Sequence, residues 1–181
     1  MVESNILIFQ VTNSKIKDID IFFRTKADFD NAVEIFKEKI DVEPDHWKQG
    51  YKSDKVWSVI DLIGKVRLEL NRSEFGEPIK ILQSFDFTIT KFVYYSFLND
   101  EEENEFEVLF QKDYFEHLQT ERLVLDNEIP FPVSTFNRSY RYQKYGYGLC
   151  RESKVKLLNA IHDLPIIDDE ELGLSLYDGK D

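Results

Sequence analysis

The run Lys17-Asp18-Ile19-Asp20-Ile21-Phe22-Phe23 sets two carboxylates one residue apart inside an apolar stretch, and few local structures accept that arrangement. In a β-strand alternate side chains share a face, so Asp18 and Asp20 stand side by side, roughly 6.6 Å apart along the strand. Ile19, Ile21 and Phe23 then face the other way, which makes the strand half core and half polar edge. Two ionised acids at that spacing repel unless water solvates them or a cation lies between them, and hard oxygen donors suit Mg²⁺ or Mn²⁺ better than zinc. The residues alone leave two readings open: a divalent-metal edge, or a solvated sheet face.

A third acid of the same kind lies in Ser84-Phe85-Asp86-Phe87-Thr88-Ile89. Read as a strand, this stretch turns Phe85 and Phe87 to one face and Asp86 to the other, and the strand is expected to run on through Phe92-Val93-Tyr94-Tyr95. A D-x-D strand beside a strand with a lone Asp can hold two metal ions. Such a pair orients a nucleoside triphosphate and stabilises both the attacking and the leaving oxygen of an in-line displacement.

The chain has 181 residues, enough for one domain with a good core and a small helical appendage. Its 42% hydrophobic content, with 15 Phe and 9 Tyr, is that of a folded protein rather than a disordered one. The net charge of −12 argues against a broad basic surface that tracks nucleic acid. Nearly all of that charge comes from Asp100 to Glu105 and from the segment after Leu164, so a local basic cluster around Arg138, Arg141, Lys144, Arg151, Lys154 and Lys156 keeps its significance. A single cysteine, Cys150, excludes an internal disulfide, and no Cys/His pair has zinc spacing. With no signal-peptide pattern and no run of 18 apolar residues, the expected location is the cytoplasm, away from membranes.

Along the chain, Ile6–Phe9 is a short apolar run and Thr12-Asn13-Ser14 a turn ahead of the acidic strand. Thr25 is placed to cap a helix over about 27–39, with Asp28 three residues on completing a capping box. Residues 41–54 read as a loop, 56–63 and 66–70 as two strands joined at Gly64-Lys65, and 79–83 as a short helix. The acidic run from Asp100 reads as a solvated loop, followed by a helix at 114–118 and a strand at 122–125. Beyond Pro130 and Pro132, Ser134 is expected to cap a helix over 135–145 ended by Gly146, with a second helix over 153–161. The organisation expected is an α/β core over 1–130, a small helical segment over 131–163 and an acidic, mobile tail over 164–181.

With these elements placed, the order of features resembles the nucleotidyltransferase superfamily, in particular phage-type relatives of the tRNA-nucleotidyltransferase and poly(A)-polymerase head. Three stretches carry the likeness: Thr12 to Asp20 with the helix after it, Phe85-Asp86-Phe87-Thr88, and Thr135-Phe136-Asn137-Arg138-Ser139-Tyr140-Arg141-Tyr142-Gln143-Lys144-Tyr145-Gly146-Tyr147. The resemblance implies an α+β fold, a short mixed sheet with helices packed on one side, followed by a small helical segment. It implies that Asp18, Asp20 and Asp86 bind Mg²⁺ or Mn²⁺, with Asp86 also helping to deprotonate the attacking hydroxyl. It further implies that Arg138, Arg141 and Lys144 face the nucleotide or its triphosphate. A salt-bridged helix face explains the two arginines equally well, and Tyr140, Tyr142, Tyr145 and Tyr147 read either as base-stacking rings or as core.

The chain departs from the family where a Gly-Gly or Gly-Ser pair at a helix N-terminus holds the triphosphate, since no glycine precedes Gly50. Either the chain is a shortened form of a longer reading frame, or the fold is kept while triphosphate binding is lost. The first function expected is metal-dependent transfer of a nucleoside monophosphate from a nucleoside triphosphate to a hydroxyl acceptor on RNA, protein or a small molecule. The alternative is a catalytically degenerate member of the fold that works by binding a protein partner, as an inhibitor, an assembly component or an antitoxin-like protein.

Overall fold

The computed structural model describes residues 5–8, 16–99, 101, 103–126, 128–165 and 168–177. The chain divides into two compact units, Met1–Leu82 with Phe92–Phe110, and Gln83–Lys91 with Gln111–Asp181. The expected turn at Thr12–Ser14 lies outside the described residues, as does the chain end from 178.

The first unit is built on a seven-stranded mixed sheet. Its elements are β1 (Asn5–Ile8), β2 (Asp18–Phe23), α1 (Lys26–Val42), β3 (Trp47–Lys52), β4 (Val56–Asp61), β5 (Val66–Phe75), α2 (Pro78–Gln83), β6 (Phe92–Leu98) and β7 (Asn104–Phe110). The strand order is β3-β4-β5-β2-β1-β6-β7. The β2–β5 pair is parallel and every other neighbour pair antiparallel. A parallel pair needs a long crossover, and α1 with the β3–β4 hairpin supplies it. This is the α+β class with a mixed sheet that the family resemblance implies.

Alternation along β2 sends Ile21 and Phe23 into a core with Phe29 and Ala32 of α1, Trp57 and Val59 of β4 and Leu70 of β5, and Ile19 and Leu68 pack at its margin. Phe29 meets Phe23 edge-to-face at 5.6 Å between ring centroids. The entry to α1 is fixed as the sequence predicts: Asp28 N donates to Thr25 Oγ1 at 3.2 Å, and Thr25 N donates to Asp28 Oδ2 at 3.1 Å. The turn between β4 and β5 is also as expected. Asp61 Oδ1 accepts from the backbone of Ile63 and Gly64, and Lys65 takes φ +56°, the left-handed region.

Three strand expectations are corrected. Residues 47–52, within the expected loop, form β3, whose alternation is masked by polar side chains and a register irregularity between Gln49 and Lys52. The irregularity falls at Gly50, where an added Cβ would lie 2.4 Å from Ser58 Oγ. Residues 104–110, partly assigned to a solvated acidic loop, form β7. Its pairing with β6 makes it a strand although nearly all its residues are exposed, so it has no buried face to declare it. Asp86 is not on a strand. Phe87 makes a single isolated bridge to Leu125, and Thr88–Thr90 is a 3₁₀ turn in which Thr90 donates through both its backbone N–H and its hydroxyl to Phe87 O.

The second unit carries α3 (Tyr114–Gln119), β8 (Arg122–Leu123), α4 (Pro132–Gln143), β9 (Gly148–Leu149), α5 (Arg151–His162) and α6 (Asp169–Ser175). Its core joins Phe87, Ile89, Leu123, Leu125, Tyr142 and Leu157. α4 starts at Pro132 rather than after Ser134, because proline fits the first helical turn. α6 lies in the acidic segment, capped by Asp168, whose Oδ1 accepts from the backbone of Glu170 and Glu171. Acids in its first turn complement the helix dipole. Among the described residues no helix is long and apolar enough to cross a membrane.

Removing the α1 cap should cost the first unit measurable stability. Thr25→Ala is expected to lower the unfolding free energy by about 1 kcal/mol, read as a shift of the urea midpoint at unchanged slope. A midpoint equal to the parent's would show that packing of α1 alone fixes its start.

Candidate functional site

The polar face of β2 is built by the same alternation that fills the core. With Ile19, Ile21 and Phe23 directed at α1, Asp18 and Asp20 stand on the opposite face. β5 runs parallel beside β2 in a register that pairs Asp18 with Arg67 and Asp20 with Glu69. Leu68 and Leu70 belong to the core side, so Arg67, Glu69 and Asn71 share the face of the acids. Arg67 Nη1 lies 3.4 Å from Asp18 Oδ1 and 3.7 Å from Glu69 Oε1. Asn71 Nδ2 donates to Asp20 Oδ1 and to Glu69 O, each at 3.3 Å.

Tyr51 closes this cluster from β3. Its ring lies 5.6 Å from the Arg67 guanidinium carbon, and its hydroxyl bonds to Glu69. Burial, and then that hydrogen bond, push the Tyr51 hydroxyl above its ordinary range. The ring is aimed by the backbone: Ser58 Oγ donates to Tyr51 O at 2.9 Å, a close approach that Gly50 permits.

Glu69 is the residue that sequence reasoning missed. Its signal was present in Leu68-Glu69-Leu70, an acid between apolar neighbours on a strand, which is the pattern that drew attention to Asp86. Nothing local separates the two stretches; strand order does, because β5 is the parallel neighbour of β2. Asp18, Asp20 and Glu69 are hard oxygen donors of the kind that suits Mg²⁺ or Mn²⁺. Among the described residues, however, no three His, Cys, Asp or Glu side chains converge so as to hold one metal ion. The cation within reach of two of these acids is the protein's own Arg67.

Asp86 belongs to the second unit, where its carboxylate is buried and fully engaged. Its Oδ2 accepts from Thr135 Oγ1 at 2.8 Å and from Arg138 through Nε at 3.0 Å and through Nη2, and its Oδ1 accepts from Phe87 N at 2.8 Å. Arg138 is only 9% exposed and donates onward to Ser134 Oγ. The structure thus brings two expected site residues together as partners of each other. Arg141 and Lys144 remain on the surface, the Arg141 guanidinium 5.9 Å from the Tyr142 ring. Tyr142 is core, its hydroxyl pushed upward by burial and then by the nearby Asp86 charge, while Tyr140 and Tyr145 are exposed. A second ion pair, from the buried Lys91 Nζ to the half-buried Asp126 Oδ2 at 2.6 Å, lies in the same unit.

Over residues 8–121, more than half of the chain, the sequence matches a family model described as Gabija anti-defense 2 family protein. No curated protein sequence matches it. Two solved structures are similar in fold. A tRNA-processing enzyme in its apo form I gives a TM-score of 0.57 at 17% identity, covering 88% of this chain and 42% of that one. A tRNA-processing enzyme in an apo form 2 gives 0.50 at 16%, covering 88% and 45%. The chain spans less than half the length of these structures, and at such identity the likeness shows the fold alone.

The geometry around Asp86 makes a direct prediction. Asp86→Asn leaves the Arg138 charge buried without its counter-ion, and breaking a buried pair from one side costs about 3–5 kcal/mol. Denaturation in the presence of a chelator should therefore show a large loss of stability. Parental or greater stability, the outcome expected when one of several clustered acids is neutralised, would return Asp86 to an electrostatically repulsive site.

Proposed function

The chain belongs to the Gabija anti-defense 2 family, and on that premise we propose that it is an inhibitory binding protein: it opposes the Gabija defense by holding one of that defense's proteins, on a nucleotidyltransferase-like fold that does not need its ancestral chemistry. The observation that carries this reading is the place of Arg67. Its guanidinium reaches Asp18 and Glu69, and Asn71 donates to Asp20. The acidic face is thereby offset in part from within, one guanidinium and one amide serving three carboxylates, where an active enzyme of this type uses exchangeable metal. Asp86 adds to the argument, since its oxygens are taken up by Arg138, Thr135 and Phe87 N.

A second reading has its own support, because Asp20 and Glu69 are register partners on adjacent parallel strands. In that reading Asp18, Asp20 and Glu69 hold Mg²⁺ or Mn²⁺ once Arg67 has turned aside, and a nucleoside monophosphate passes from a triphosphate to a hydroxyl of RNA or protein.

One experiment separates the two. Parent, Asp18→Asn/Asp20→Asn and Glu69→Gln are expressed in cells that carry the Gabija defense, and each purified form is tested for co-elution with the Gabija proteins in the presence of EDTA. Binding predicts that all three release the defense, with affinities equal to within about 0.5 kcal/mol, the usual spread for surface substitutions. Loss of the effect in the double variant at an unchanged melting temperature, together with Mg²⁺- or Mn²⁺-dependent transfer of label from a triphosphate, would install the transferase instead.

A further inference from the structure

We infer that the outer edge of β7 is the docking surface, and that it takes up an extended segment of the partner protein as an eighth strand, one that alternates basic with apolar residues. The inference rests on the binding reading above and adds where, and to what chemistry, the chain binds.

β7 ends the strand order and, among the described residues, has β6 as its one neighbour in the sheet. A strand in that position presents a row of backbone N–H and C=O groups with no strand partner, which proteins ordinarily blunt with charged side chains, lysine above all, with proline or with a bulge. Asn104-Glu105-Phe106-Glu107-Val108-Leu109-Phe110 contains neither lysine nor proline, and its two charges, Glu105 and Glu107, have one sign, so they turn away acidic strands and leave the edge open to basic ones. Its register with β6 is unbroken from Phe92↔Phe110 to Leu98↔Asn104. The edge is long, regular and open to strand addition.

Its two faces state the chemistry of the added strand. On one face Phe106 and Val108 are 59% and 52% exposed, and Phe106 is held rigid by stacking on Tyr94 at 5.3 Å. On the other face Glu105 accepts from Asn99 Nδ2 and Glu107 from the Tyr95 hydroxyl. These bonds orient both carboxylates, yet neither has a cationic partner among the described residues. A partner strand therefore gains most by setting Lys or Arg opposite Glu105 and Glu107, and apolar side chains opposite Phe106 and Val108, since opposed cross-strand pairs of unlike charge stabilise. A second copy of this chain fits badly. Antiparallel pairing of β7 with itself sets glutamate against glutamate in one register and glutamate against the apolar face in the other.

The test uses the full chain and the purified Gabija defense proteins, with binding measured by biolayer interferometry at two salt concentrations. Glu105→Lys/Glu107→Lys and Phe106→Lys/Val108→Lys should each weaken binding roughly tenfold or more, as removal of central contacts does. The first variant should also lose the parent's salt dependence. These side chains are exposed, so melting temperatures should stay at the parental value. Should either variant prove unstable, amide hydrogen exchange on the unaltered chain reads the same surface: residues 104–110 should become protected in the complex. Parental affinity in both variants, or unchanged exchange across β7, overturns this inference and leaves the binding reading standing. A parent that binds no Gabija protein overturns both. A parental dimer that Glu105→Lys/Glu107→Lys dissociates would show that a second copy, and not the defense, occupies the edge.

Discussion

The parallel pairing of β2 with β5 is the constraint on which the first unit depends. A parallel pair cannot be joined by a tight turn, so the chain must leave the sheet and return. α1 makes that excursion and lays Phe29 and Ala32 over Ile21, Phe23 and Leu70. The packing locks the strand register, since a slip of one residue would bring Asp18 and Asp20 into the core. The register in turn sets Arg67 beside Asp18 and Glu69 beside Asp20. Core packing on one face thus determines the electrostatics of the other.

The two units treat acids in opposite ways. On the β2–β5 face Asp18, Asp20 and Glu69 are spread across a partly open surface and share donors from Arg67, Asn71 and Tyr51. In the second unit Asp86 is enclosed, with a guanidinium, a hydroxyl and a backbone N–H directed at it. A buried charge is tolerable when its partner and remaining hydrogen bonds are all supplied, and α4 supplies Thr135 and Arg138 from successive turns. Asp86 and Arg138 therefore tie the segment before the 3₁₀ turn to α4, an architectural task that suits residues at 5% and 9% exposure.

The features legible in the sequence are those whose cause is local. Thr25 and Asp28 close a capping box within one turn. Asp61, Gly64 and Lys65 close a turn, and the period of two in β2 separates acids from core. For the same reason the D-x-D strand, α1, α2, α3 and α5 follow from residues a few positions apart. What the tertiary structure alone decided is non-local. Leu68-Glu69-Leu70 and Phe85-Asp86-Phe87 carry the same alternating signature, and strand order makes one the neighbour of Asp20 while the other becomes the buried partner of Arg138. β3 and β7 escaped notice because neither has a continuous buried face, and each is a strand through its partner's hydrogen bonds. Periodicity reports which side of an element meets the core; it carries no information about which element lies alongside, and the roles of Glu69, Asp86 and Arg138 are set by that second fact.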